Sequence, residues 1–182
     1  MNRFQNTHRG FTLVELIVTL AITVILLTLG IPAFRDMTLN NSRTGRINEL
    51  VTALQLARSE SVKRGVEVSI ANTGAWEQGW TVFVDDNSNG TLDGGEQALR
   101  VTQRNNPDYT IRPNGYPQFL TYDASGAINI AGDFTYCDSR SAADTTTARA
   151  VIINNTGRPR MSIDSNGDGI HEDGSGANLT CP

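Results

Sequence analysis

The sequence predicts an α+β protein in which one long N-terminal helix leads into a domain of short strands. Three observations carry that expectation. Phe11–Ile31 is a run of 21 residues with a single charge, Glu15. From Ala33 to about Arg64, apolar residues recur at threes and fours, the spacing of a helix with one buried face. Beyond Gly65 the chain breaks into short β-rich runs separated by Gly, Asn and Asp.

Residues 1–10 read as a leader, 11–32 as a membrane-spanning and assembly helix, and 33–182 as an exported domain. As a helix, the apolar run would span about 31 Å, the thickness of a bilayer's hydrocarbon core. Arg3 and Arg9 precede it with no acid, which keeps the leader cytoplasmic and sends the remainder across. An ordinary signal peptide carries its cleavage site after the apolar run. Here the candidate processing residue, Gly10, comes before it. Glu15 is the anomaly, because a carboxylate in a membrane is costly and calls for a partner or a role.

The stretch "RGFTLVEL" resembles the class III signal of type IV pilins and type II secretion pseudopilins. That resemblance implies a prepilin peptidase that cuts after Gly10 and methylates the new amine of Phe11. It implies that Glu15 pairs with the Phe11 amine of a neighbouring subunit, and a carboxylate in low dielectric does want an ammonium. It also implies an inner-membrane prepilin that later joins other pilin subunits in the periplasm or at the cell surface.

The second helical segment, about 33–64, sets Ile47, Leu50, Val51, Leu54, Ala57 and Val62 on one face. Arg43, Arg46, Glu49, Arg58, Glu60 and Lys63 read as its solvated side, and Pro32 and Gly45 as points of bending. The β-region, about 66–182, is expected to hold strands at Val66–Ile70, Trp80–Val84, Ala98–Gln103, Tyr109–Arg112, Phe119–Asp123, Ala127–Ile130, Phe134–Cys137, Ala148–Asn154 and Pro159–Ile163. Trp76 and Trp80 read as packing residues rather than stacking platforms. Cys137 and Cys181 are the only cysteines, and an even count in an exported domain favours a disulfide that staples the tail.

The segment "EQGWTVFVDDNSNGTLDGGEQALRV" and the late "GRPR" resemble the FimT/GspH branch of minor pilins and pseudopilins. The resemblance implies the type IV pilin fold, with the long helix packed on antiparallel β-sheets. Within the acidic loop, Asp85, Asn87, Asn89, Asp93 and Glu96 have the spacing of a calcium site around Gly90. The same residues also make a polar strand connection. A second acidic run, Asp164–Glu172, repeats the theme with a poorer ligand set.

The net charge of −4 argues against general nucleic-acid affinity, so any such function needs a local patch. Residues 139–162 supply one: Arg140, Arg149, Arg158 and Arg160 against Asp144, or 4 − 1 = +3. Arg158 and Arg160, two apart in extended chain, are expected to share a face about 7 Å apart. Gly157, Arg158 and Arg160 match the Gly-Arg-x-Arg motif of FimT-type minor pilins, which implies DNA-backbone contacts during natural transformation. The rival is a minor pilin or pseudopilin that primes fibre assembly without DNA. Two histidines and no nucleophile–base pair leave enzymatic chemistry little to work with.

Overall fold

The computed structural model describes residues 10–104, 109–141 and 144–181, so the leader expectation, Gly10 apart, lies outside the described residues. The chain divides into two compact units, Met1–Ser42 and Arg43–Pro182. Helix α1 (Leu13–Arg64) contributes to both and runs unbroken through Pro32 and Gly45.

In the first unit, the Glu15 N–H donates to Thr12 Oγ1 at 3.2 Å, which caps the start of α1. Glu15 stands in the first turn, where the helix dipole favours a carboxylate. Thr19, Thr23 and Thr28 donate their hydroxyls to the carbonyls of Leu16, Thr19 and Ile25. These three hydroxyls are thereby satisfied within the helix, as a lipid surrounding requires. This part of α1 is long and apolar enough to cross a membrane.

The second unit is the folded domain. Two four-stranded antiparallel sheets pack with the last turns of α1. The first holds β1 (Val68–Asn72), β2 (Gly79–Val84), β3 (Ala98–Gln103) and β5 (Phe119–Tyr122), in the order β3-β2-β1-β5. The second holds β4 (Tyr109–Asn114), β6 (Gly132–Asp138), β7 (Arg149–Ile153) and β8 (Pro159–Met161), in the order β4-β6-β7-β8. Ile47, Leu50, Ala53, Leu54 and Ala57 of α1 share one core with Ile70, Trp80 and Val82 of the first sheet and Phe134, Tyr136, Val151 and Ile153 of the second. Trp76 and Trp80 are core residues: Trp76 meets Phe134 edge-on at 4.6 Å and donates its indole N–H to the Tyr116 carbonyl.

The outer face of the second sheet is covered too. Ala148, Ala150 and Ile152 pack with Leu179 and Cys181 of the tail. The tail is tied down by the Cys137–Cys181 disulfide, whose Cα atoms lie 5.9 Å apart.

Two strand expectations need correction. Ala127–Ile130 is a loop, because Asp123 captures its start: Asp123 Oδ1 accepts the N–H groups of Ser125 and Ala127. Such local side-chain bonds compete with a ladder. The last strand stops at Met161 rather than Ile163, because Ser162 accepts the Ala150 N–H on its hydroxyl instead of its carbonyl. The remaining strands differ from expectation only by one or two end residues, and β1 begins at Val68 rather than Val66.

Candidate nucleic-acid interface

The loop between β7 and β8 is built around Asn154. The Gly157 N–H donates to the Asn154 carbonyl at 2.8 Å, closing a turn. Asn154 Oδ1 accepts from the Thr156 hydroxyl and the Arg158 N–H. Gly157 has φ +73°, and a Cβ there would lie 2.1 Å from the Gly126 carbonyl oxygen and 2.8 Å from Tyr122. Only glycine fits. Gly126 in turn lies against α1, where an added Cβ would meet Val62 at 2.7 Å, and its carbonyl accepts the Arg58 Nε–H at 3.0 Å. Two glycines therefore stack between the turn and the helix, and bring Arg158 down beside α1. Beneath them, Tyr122 is fully buried, and burial raises its phenol pKa.

Arg158 and Pro159 border a groove of about 520 Å³ with Gln55, Arg58, Ser59, Val62 and Lys63 of α1. Three of its seven residues are basic and none is acidic. The nearest acid in sequence, Glu60, holds Lys63 at 3.3 Å and Arg64 at 2.6 Å. The Arg64 hydrogen bond, foremost, lowers its pKa.

Arg160 stands elsewhere, which corrects the expectation that the two arginines share a face. Arg160 pairs with Ile152, and paired residues in antiparallel strands project to the same side. Ile152 faces the tail, whereas its neighbours Val151 and Ile153 face the helix. Arg160 thus lies on the tail side, the side of Leu179 and Cys181, while Arg158 borders the α1 groove. Neither side chain has a protein partner among the described residues.

The other two predicted arginines have different employment. Arg140 Nη2 donates to Asp138 Oδ2 at 2.6 Å. Arg149 donates to the carbonyls of Thr146 and Ala148. Arg43, from α1, joins them with Asp138 at 3.9 Å and bonds the Thr147 carbonyl. Burial, then repulsion from Arg149, lowers the Arg43 pKa, and burial, then Arg140, lowers that of Arg149. Burial works against the Asp138 carboxylate, but hydrogen bonds from Arg140 and the surrounding charge carry its pKa below the ordinary range. This cluster sits at the end of β7 opposite the turn that carries Arg158.

The Asp85–Glu96 loop satisfies itself. Asp85 is buried and accepts from Ser69 and the Asn89 and Gly90 N–H groups. The Asn87 and Asn89 amides both donate to Asp93 Oδ2. Glu96 accepts the N–H groups of Asp86 and Asp93. Among the described residues, no three His, Cys, Asp or Glu side chains are placed to hold one. His171 is half-buried and bonds the Ser162 carbonyl through Nδ1 at 2.8 Å.

The helix side of the groove is not legible in the sequence, where Arg43, Arg46, Glu49, Arg58, Glu60 and Lys63 read as one solvated face. The structure divides them: Arg46 covers the Tyr109 ring at 4.6 Å and Glu49 pairs with Arg104, whereas Arg58 and Lys63 enter the groove. The available signal was the spacing Gln55, Arg58, Ser59, Val62 and Lys63, one stripe of a helix, but nothing in the sequence says what lies beside that stripe.

Comparison with known proteins adds family and fold. The profile described as "Type II transport protein GspH" matches residues 46–157, and the "Prokaryotic N-terminal methylation motif" matches residues 5–31. Pilin-like protein PilA1 of Thermus thermophilus is 34% identical over 91 residues, covering 50% of this chain and 57% of that protein. A fimbrial protein of Pseudomonas aeruginosa is 33% identical over 108 residues, covering 59% of this chain and 66% of that one. The chain therefore spans less than two thirds of the length of these relatives. The crystal structure of the Pseudomonas aeruginosa type IV minor pilin FimU is similar in fold, with TM-score 0.58 at 23% identity over 70% of this chain and 92% of that one.

Proposed function

We propose that this chain, which belongs to the GspH family, is a minor pilin whose exported domain binds DNA without sequence preference through Arg158 and Arg160. The observation that carries the reading is the rigid presentation of Arg158. A glycine that admits no side chain pins the turn, proline follows, and the guanidinium has no protein partner among the described residues. Holding a cation in place before binding reduces the entropy lost when a phosphate arrives. Contacts of this kind go to the backbone, so they position DNA without reading it. Gly10 and Phe11 are then the processing site of a prepilin peptidase, and Glu15 the assembly carboxylate that meets a neighbouring subunit's amine in the membrane. The role in the cell is capture of DNA for natural transformation.

The test uses the full chain in a non-ionic detergent, titrated against a fluorescent duplex while salt is raised from about 50 to 200 mM. Binding that weakens steeply with salt and is lost in the Arg158→Gln, Arg160→Gln double variant is the expected result. No binding at low salt, or binding indifferent to both substitutions, overturns the reading. The chain is then an assembly subunit that does not touch DNA.

A further inference from the structure

We propose that the groove between α1 and the GRPR turn is the second half of the DNA site. In this arrangement Arg58 and Lys63, not Arg140 and Arg149, work with Arg158. The inference rests on the DNA reading above and assigns it a surface. Gln55, Arg58, Ser59, Val62 and Lys63 form one stripe along the last turns of α1, and Arg158 with Pro159 forms the facing wall. From Gln55 to Lys63 the stripe is about 12 Å long, enough to reach more than one phosphate of a strand.

The chemistry of the lining selects the ligand. Three cations with no acid among the lining residues favour a polyanion. The Arg58 Nε–H is held by the Gly126 carbonyl, which fixes the plane of its guanidinium. Its two terminal NH₂ groups, the ones a phosphate needs, make no hydrogen bond among the described residues. Lys63 is 73% exposed beyond its contact with Glu60. Gln55 and Ser59 add polar groups that can bond phosphate oxygens. No aromatic ring lines the groove, so it offers no platform for unstacked bases. The occupant is therefore the sugar–phosphate edge of a duplex rather than a stacked single strand.

The groove also explains why the Gly-Arg-Pro-Arg turn is docked where it is. Gly126 and Gly157 remove the two side chains that would hold the turn away from α1. On the other side of the hairpin, Arg160 lies with the tail. The two arginines of the motif are thus unequal, and Arg158 has the helix bases as its partners.

The experiment repeats the salt titration with the full chain in detergent, on a 20-base-pair duplex of mixed sequence, for Lys63→Gln, Arg58→Lys, Arg58→Gln, Arg158→Gln and Arg112→Gln. Arg112 lies exposed on β4, the far edge of the second sheet from β8, and serves as the control. Lys63→Gln is expected to weaken binding about three- to tenfold and to reduce the slope of log K against log salt by about 0.9. Arg58→Gln is expected to do the same, with Arg58→Lys restoring the slope and Arg112→Gln changing nothing. If Arg158→Gln weakens binding while Lys63→Gln and Arg58→Gln keep both affinity and slope, the groove is wrong and the DNA reading stands. If the unaltered chain does not bind, the DNA reading fails and the groove falls with it. Preference for a single strand of the same length over the duplex also overturns the assignment.

Discussion

The hairpin of β7 and β8 carries basic residues at both ends, and the two ends are built on opposite plans. At the start of β7, Arg43, Arg140 and Arg149 gather around Asp138 and the carbonyls of Thr146, Thr147 and Ala148, half-buried and partnered. At the turn, Arg158 stands beside Arg58 and Lys63 with no acid among the groove's lining residues. Counting charge along the chain pools these arginines into one patch. Their partners separate them: Arg140 and Arg43 are spent on a carboxylate and Arg149 on carbonyls, whereas the Arg158 guanidinium bonds nothing among the described residues and is available to a ligand.

The contrast can be attacked first at its structural end. Replacing Cys137 and Cys181 by serine releases the tail beside the Asp138 cluster. The 44-residue separation implies a loss of about 4 kcal/mol in the chain-entropy model, read as a lower urea midpoint. Asp138→Asn removes the carboxylate that Arg43 and Arg140 share and is expected to cost about 3 kcal/mol, since their charges are left half-buried and uncompensated. Its acid limb sharpens the point. The Asp138 pKa is lowered in the fold, so its stabilisation is complete above the ordinary carboxylate range and disappears as pH falls through the lowered value, below about pH 4. Unfolding curves of Asp138→Asn should lose that component, while its DNA salt slope stays unchanged. A changed slope would erase the division between the two ends.

Gly157→Ala tests the joint between structure and function. The added Cβ meets the Gly126 carbonyl at 2.1 Å in a backbone conformation that alanine resists. The turn must lift from the helix, at about 2 kcal/mol in stability. Binding should fall at least as far as in Arg158→Gln, because the whole wall of the groove moves. At the functional end, Arg158→Gln and Arg160→Gln should each leave stability within about 0.5 kcal/mol. Arg158→Gln is expected to weaken DNA binding more than Arg160→Gln. Equal effects would mean that the opposite faces of the two residues do not matter.

Much of this molecule is legible from local chemistry. The apolar run after Gly10, the helix period from Ile47 to Ala57, and the alternation in Trp80–Val84 each report an interaction with solvent, lipid or core that a residue makes with its own neighbours in sequence. The two cysteines had only each other. Where the reading went astray, the deciding partner was distant or unexpected. Ala127–Ile130 has strand-forming residues, but Asp123 bonds the backbone that would have paired. Arg43, Arg46 and Glu49 look solvated on a helix, yet Asp138 of β6, Tyr109 of β4 and Arg104, just past β3, reach them.

By itself the sequence determined the long helix, its membrane-compatible first half, the processing motif, the β-rich domain and the turn at Gly157. Each follows from periodicity, composition or a backbone preference acting over a few residues. The tertiary structure alone decided that Arg158 faces the helix and Arg160 the tail, and that Arg58 and Lys63 belong beside Arg158. The register of β8 on β7 and the contact of Gly157 with Gly126 set that division, and both join residues far apart in the chain whose pairing no local preference encodes.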